Sequence, residues 1–138
     1  MERKMKTITF SGSMTFLNEM KEIKKELEEK GFTVLLPDEG GFLGKENETE
    51  ISVETQRKNS LTGTLKKIKQ SDAVLVVDET KNNIENYIGA NTFLEMGVTY
   101  APGKKIFLWN DFPSQPNTLE IKAMEPVVLC GDVMEVIV

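Results

Sequence analysis

The segment "YIGANTFLEMGVTYAPGKK", residues 87–105, places a single carboxylate in an otherwise apolar stretch. Counting from Ala90 predicts a helix with one narrow polar stripe at i, i+4 and i+8, formed by Asn91, Thr92, Glu95 and Thr99. Such a stripe is most often the solvated face of a helix. This one is short and weakly charged for an outer face, and it follows a glycine turn. The alternative is that Glu95 borders a ligand cleft.

Two absences limit the chemistry that this chain could perform. The 138 residues contain no histidine and only one cysteine, Cys130. Ser-His-Asp triads, Cys-His dyads and His-liganded metal sites are therefore excluded, as are a disulfide and a CxxC pair within the chain. We predict no metal and no cofactor. An enzymatic reaction would depend on carboxylates, hydroxyls, amides, lysines and the backbone.

Charge and hydropathy restrict the expected partners. The formal net charge of −5 argues against a general nucleic-acid binder, which would present a basic face. No apolar run approaches the roughly 20 residues that span a bilayer, so we expect no membrane partner. The N-terminus lacks the apolar region and the cleavage site of a signal peptide, which favours a cytoplasmic location.

The order of the elements indicates the fold class. Apolar runs that predict strands alternate with segments of helical periodicity: strands in 6–13, 32–37, 72–78, 104–109 and 126–131, helices in 15–31, 55–70 and 90–101, and a final helical turn in 132–137. This pattern predicts one domain over residues 1–138, a three-layer, doubly wound α/β fold of the Rossmann or flavodoxin-like kind, with a mostly parallel sheet of about five strands. Residues 38–54 are predicted to form a long surface loop. Such a loop is often functional or mobile, and the alternative is an insertion that serves only solubility.

Ligands of open α/β sheets bind beyond the carboxyl ends of the strands. After the first strand, Ser11, Gly12 and Ser13 could form a turn whose N–H groups and hydroxyls suit a phosphate or another anion. The alternative is that Gly12 only permits the turn while Ser13 or Thr15 caps the next helix. Neither GxGxxG nor a P-loop is present. Asp78 closes the third strand at the same edge, either as a catalytic partner or as an acceptor for the following turn.

Three segments together resemble the nucleoside 2-deoxyribosyltransferase-like superfamily, which includes deoxyribosyltransferases and nucleoside 5′-monophosphate N-glycosidases. They are "ITFSGSM", "SDAVLVVDET" and "GANTFLEMGVTYAPGKKIFL". The similarity covers nearly the whole chain except the 38–54 loop. Its most specific element is a glycine followed by Glu-x-Gly-x-x-x-Ala-x-Gly-Lys, which is matched here by Gly89, Glu95, Gly97, Ala101, Gly103 and Lys104.

The resemblance implies that Glu95 is a nucleophile that attacks the anomeric carbon of a nucleoside or nucleotide. A covalent glycosyl-enzyme would form as the base leaves, and water or a second base would resolve it. It further implies that the turn from Ser11 to Met14 lines the substrate pocket, and that the protein forms a homodimer or larger assembly with shared sites. Further candidates are Asp78 and Asn91 for catalysis, and Tyr87 and Gly89 for substrate binding.

The sequence departs from the superfamily pattern at two positions. Thr64 stands where superfamily members carry an aspartate, and Gly89 stands where they carry an acid or a serine. These departures favour an alternative function, a nucleotide-binding module that retains the fold without efficient catalysis. A phospho-receiver domain is excluded because Ser11 and Gly12 replace its acidic pair after the first strand.

Overall fold

A computed structural model describes residues 6–37 and 52–138 of the chain. In these two ranges, strands and helices alternate along the sequence as the apolar pattern predicts. The elements are β1 (Thr7–Ser11), α1 (Leu17–Glu29), β2 (Thr33–Leu35), α2 (Val53–Gln70), β3 (Ala73–Val76), α3 (Ala90–Tyr100), β4 (Lys105–Leu108), α4 (Thr118–Ala123) and β5 (Val127–Val128). Short 3-10 turns occur at Met14–Phe16 and Val133–Glu135.

The strands of the described chain form one parallel sheet in the order β2-β1-β3-β4-β5. This order confirms the predicted doubly wound, flavodoxin-like fold. The direction of winding reverses between β1 and β3, so the connections that follow these two strands diverge and leave a crevice at the carboxyl edge. β3 lies at the centre and is entirely buried, whereas the edge strands β2 and β5 have only three and two residues.

The two faces of the sheet are covered by different helices. On one face, the apolar stripe of α1, with Met20, Ile23 and Leu27, packs against Ile8 and Phe10 of β1. On the other face, α2, α3 and α4 bury a second cluster that includes Ile68, Val74, Met96, Ile106 and Ile121. Alternation along β1 turns Thr9 and Ser11 toward this second face, because successive side chains of a strand point in opposite directions.

Helix α2 begins at Val53, two residues before the predicted start. The Ser52 side chain accepts a hydrogen bond from the Thr55 N–H at 3.1 Å and so caps the helix. The last two residues of the predicted 38–54 loop are therefore helical, and residues 38–51 lie outside the described chain. At the other end, the Lys104 ammonium donates to the carbonyls of Ile68 and Lys69 at 2.9 and 3.1 Å, which satisfies the last turn of α2.

The sequence reading missed the short helix α4, which lies between β4 and β5. A buried Ile121 anchors this helix to the sheet. The predicted final helical turn is present as the 3-10 turn Val133–Glu135, which the Asp132 side chain caps through the Met134 N–H. Of the helices in the described ranges, none is both long and apolar enough to cross a membrane.

Candidate active site

A cavity of about 600 Å³ opens at the carboxyl edge of the sheet, in the crevice where the winding reverses. Its walls are the turn after β1, the connection after β3, the first half of α2 and the first turns of α3. The volume falls in the range of roughly 300–1,000 Å³ that is typical of small-molecule sites. Seven residues predicted from the sequence line it together: Gly12, Ser13, Met14, Tyr87, Gly89, Asn91 and Glu95.

The polar stripe of α3 faces the protein interior. Thr92, Glu95 and Thr99 are only 6%, 7% and 0% exposed, while Asn91 is exposed at the mouth of the cavity. The interpretation of this stripe as a solvated face is therefore wrong. The outward side of the helix instead carries Leu94, which is 47% exposed. Helix α3 thus buries polar groups and exposes an apolar one.

Two hydroxyl groups hold the carboxylate of Glu95 in place. The Ser11 hydroxyl donates to Oε1 of Glu95, and the Thr64 side chain of α2 forms a second hydrogen bond with the carboxylate. On the same helix, the Thr99 hydroxyl donates to the Glu95 carbonyl at 2.7 Å. A charged group fixed by donors from two other elements is restricted to one orientation, which a reacting group requires.

The protonation of Glu95 reflects its surroundings. Burial raises the pKa of Glu95 from an ordinary 4.5 to about 7, while the hydrogen bonds from Ser11 and Thr64 lower it. At neutral pH both the ionised and the protonated forms are therefore populated. A carboxylate with this property at a cavity wall is a functional-site candidate on physical grounds.

The turn after β1 leaves no room for a larger residue at its glycine. Gly12 has a φ of +149°, and an added Cβ would lie 2.9 Å from the Val77 carbonyl oxygen. The next residue, Ser13, accepts a hydrogen bond from the Thr15 N–H at 3.2 Å, so it caps the 3-10 turn as the alternative interpretation expected. Its hydroxyl also accepts a hydrogen bond at 2.8 Å from Lys81, a residue that the sequence reading did not select.

Lys81 belongs to a tight hairpin in the connection after β3. Its N–H and carbonyl pair with those of Ile84 at 3.1 and 2.9 Å, and the two central residues, Asn82 and Asn83, have φ values of 54° and 61°. Two central residues with positive φ are characteristic of a type I′ turn, which closes a two-residue hairpin. Lys81 at its first position reaches the cavity.

Asp78 does not join Glu95 at the cavity wall, although the sequence reading made it a catalytic candidate. Its side chain is fully buried, and Oδ1 accepts a hydrogen bond from the Asn110 N–H at 2.7 Å. Within the described ranges, Oδ2 has no hydrogen-bond partner. Burial raises the pKa of Asp78 to about 8, against the lowering effect of the Asn110 N–H. Asp78 thus ties the connection after β3 to the one after β4. Its alternative role was that of an acceptor for the turn that follows it, whereas the donor here is Asn110.

The contribution of α2 to the cavity was also missed. Gln56, Ser60 and Thr64 recur at i, i+4 and i+8 and line the cavity from this helix, next to Arg57. That spacing of uncharged polar residues on an otherwise charged helix was the available signal. In the described ranges, no three side chains of the His, Cys, Asp and Glu types come together as a potential metal site.

Known structures relate this architecture to other proteins. A 2-deoxyribosyltransferase from Bacillus psychrosaccharolyticus, described as a biocatalyst for nucleoside synthesis, is similar over 75% of this chain and 71% of its own, with a TM-score of 0.55 and 23% identity. The chain has a nucleoside 2-deoxyribosyltransferase-like fold.

Two further solved structures share this fold. A conserved protein from Enterococcus faecalis V583 is 18% identical, with 88% and 76% of the two chains covered and a TM-score of 0.57. A 2-deoxyribosyltransferase from Leishmania mexicana is 16% identical, with 83% and 70% covered and a TM-score of 0.54. No family model and no curated protein sequence matches the chain. At these identities, the likeness shows the fold alone.

Proposed function

We propose that this protein cleaves the N-glycosidic bond of a nucleoside or nucleotide, with Glu95 as the nucleophile. The observation that carries the proposal is the buried carboxylate of Glu95, held by the Ser11 and Thr64 hydroxyls at the wall of a cavity sized for a small molecule. The likeness of the fold to two 2-deoxyribosyltransferases supports this class of reaction.

The reaction takes two displacements at the anomeric carbon. An ionised Glu95 oxygen attacks that carbon, and the new C–O bond forms as the C–N bond breaks. The base leaves with the electron pair of the broken bond and takes up a proton. Water or a second base then attacks the same carbon and releases Glu95 as a carboxylate. Transfer to a second base and hydrolysis differ only in this last step.

Neighbouring residues supply binding rather than further acid–base groups. Tyr87 brings an aromatic ring to the cavity, and such rings stack on nucleobases. Asn91 offers an amide donor and acceptor at the start of α3, one turn before Glu95. Ser11 lies behind the carboxylate, and we assign it a positioning role through its hydrogen bond.

A second candidate function is a nucleotide-binding module without efficient catalysis. It is favoured because Glu95 is the single acidic residue among the described residues that line the cavity. Thr64, which stands where the resemblance implies an aspartate, contacts the carboxylate with a hydroxyl instead. A leaving base would therefore take its proton from water or from a group other than a second carboxyl in this part of the chain.

Release of free base from defined substrates separates the two functions. We expect slow release, followed by chromatography, from one or more members of a panel of ribonucleosides, 2′-deoxyribonucleosides and their 5′-monophosphates. Repeating the reaction with a second free base separates transfer from hydrolysis. Binding without any base release across the panel would favour the binding module.

Two further expectations concern the assembly of the protein and its location in the cell. The homodimer or larger assembly implied by the resemblance is part of this proposal, and light scattering coupled to size-exclusion chromatography measures it. The expected cytoplasmic location stays a prediction.

A further inference from the structure

Two cationic side chains reach the cavity beside Glu95, and the proposed glycosidic cleavage uses neither of them. Lys81 enters from the hairpin after β3, and Arg57 enters from the first turns of α2. They are the only basic residues among the described cavity-lining residues. Because they come from two different walls, a ligand between them would meet positive charge from both sides.

The Lys81 ammonium is held in position with donor capacity to spare. The type I′ hairpin fixes its backbone, and its hydrogen bond to the Ser13 hydroxyl at 2.8 Å fixes its Nζ. An ammonium group has three N–H donors. In residues 6–37 and 52–138, this is its one hydrogen bond, and it pairs with no carboxylate. A half-buried cation in this state is poised for an anion.

Arg57 supplies a second cation at the rim of the cavity. Its side chain is exposed, and it makes no hydrogen bond or ion pair with another residue of the described chain. A guanidinium group presents a planar fork of donors that matches the oxygen atoms of a phosphate or a carboxylate. The rim position leaves this fork available to a bound ligand.

The charge of the cavity contrasts with that of the whole chain. The described lining residues carry two cations and one carboxylate, whereas the complete sequence has a net charge of −5. Positive charge concentrated in a cleft attracts anionic ligands. A neutral ligand that covered Lys81 would remove the ammonium from water without providing a counter-charge, which is unfavourable.

We propose that Lys81 and Arg57 bind an anionic group of the substrate, and that the substrate class is a nucleoside monophosphate rather than a free nucleoside. This inference rests on the proposed function for the nucleoside part of the ligand. A phosphate fits better than a carboxylate because its several oxygens can accept hydrogen bonds from both cations and from the Ser13 turn at once.

Calorimetric titration of the Glu95→Gln variant tests binding without turnover. The probes are the four 2′-deoxyribonucleosides, their 5′-monophosphates and inorganic phosphate. We expect the preferred monophosphate to bind at least about tenfold more tightly than its nucleoside, since charge-assisted hydrogen bonds are among the strong ones. Lys81→Gln and Arg57→Gln should each reduce this preference, and the double variant should remove it.

Two further variants control for net charge and for the type of cation. Lys66→Gln removes one positive charge from an exposed position of α2 that does not line the cavity, and it should keep the full preference. Lys81→Arg retains a cation and should keep most of the preference. Thermal unfolding of every variant verifies that the fold is unchanged.

The proposal is overturned by equal affinity for monophosphate and nucleoside, by a preference that survives the double variant, or by a failure of every monophosphate to bind. Inorganic phosphate that binds as tightly as the monophosphate also overturns it, because the site would then serve a free anion. The outcome is independent of catalysis. A monophosphate preference without base release would refute only the glycosidic cleavage, and release from neutral nucleosides without the preference would refute only the anion site.

Discussion

The two sides of strand β1 carry opposite kinds of side chain. Toward α1, strand β1 presents Ile8 and Phe10, both fully buried in an apolar cluster. Toward α2 and α3, the same strand presents Thr9 and Ser11, which are also fully buried. Thr9 hydrogen bonds to the Ser71 hydroxyl at 2.5 Å, and Ser11 donates to Glu95.

The difference between the two sides of β1 distinguishes residues that stabilise the fold from residues that serve the candidate site. Apolar burial stabilises a fold in proportion to the area removed from water. A buried hydroxyl or carboxylate must instead be compensated by hydrogen bonds, and it contributes little net stability. The polar side of β1, toward α2 and α3, therefore has a composition that stability alone does not favour. Ser11 on this side holds the carboxylate of Glu95 at the cavity wall, which accounts for its presence.

The largest expected effect is the loss of base release in Glu95→Gln. This variant keeps the shape of the side chain but removes the nucleophile, so release should fall roughly 10⁴-fold or more. Its melting temperature at pH 8 should not decrease, because a neutral amide replaces a buried carboxylate. Chromatography of the free base and thermal unfolding measure the two effects. Glu120→Gln, an exposed position on α4, serves as the matched control with normal release. Unchanged release in Glu95→Gln would end the nucleophile assignment.

The second effect compares adjacent residues on opposite faces. Phe10→Ala should lower the free energy of unfolding by about 3–5 kcal/mol, because it leaves a cavity in the apolar cluster. Thr9→Val, which removes one hydroxyl from the polar face, should lower it by only about 1 kcal/mol. Urea denaturation measures both values. Equal losses of unfolding free energy in the two variants would show that the two sides of β1 contribute equally to stability.

The third effect is a decrease in stability with rising pH. The folded-state pKa values of Glu95 and Asp78, about 7 and about 8, lie above their ordinary values of 4.5 and 3.8. Both groups bind protons more tightly in the folded chain, so this stabilisation is complete below about pH 4 and is lost as the pH rises through 7 and 8. The melting temperature should fall by roughly 5–10 °C between pH 5 and pH 9.

Two variants assign this pH dependence to its residues. Glu95→Gln should remove the part of the decrease that ends near pH 7, and Asp78→Asn the part that extends up to about pH 8. A melting temperature that rises over this pH range in the unmodified protein would contradict both pKa shifts.

The smallest effect concerns the positioning role of Ser11. Its hydrogen bond lowers the pKa of Glu95, so Ser11→Ala should raise that pKa and move the acidic limb of the rate profile to higher pH. Base release at pH 6 should fall roughly tenfold and recover partly at pH 8. Thr9 hydrogen bonds to Ser71 and not to Glu95, so Thr9→Val should leave the acidic limb of the rate profile where it is. A uniform loss at all pH values in Ser11→Ala would indicate a purely structural role.

The sequence predicted those features that depend on local pattern. The continuous apolar run of β3 indicated the centre of a parallel sheet, and the resemblance of the segment around Glu95 indicated a carboxylate at the cavity. The direction of the stripe on α3 was not predictable from that helix alone. It depends on Ser11 and Thr64, which come from other parts of the chain and make the interior polar at this point.

Other features depend on contacts between distant residues. Asp78 turns away from the cavity because Asn110, 32 residues later, offers it an N–H donor. Lys81 reaches Ser13 only because Asn82 and Asn83 both adopt positive φ, and asparagine permits that conformation without requiring it. Long-range hydrogen bonds and turn geometry of this kind leave no periodic trace in a sequence.

The short outer strands of the sheet also affect how copies of the protein can associate. An edge strand displays unpaired peptide groups on which another chain could align as an additional strand. β2 has three residues and β5 has two, so each offers such a guest only a few hydrogen bonds. A guest strand of that length would be held too weakly to seed an ordered fibril from the native state. We therefore expect contacts between native copies to form through side chains and not through the addition of strands to the edges of the sheet.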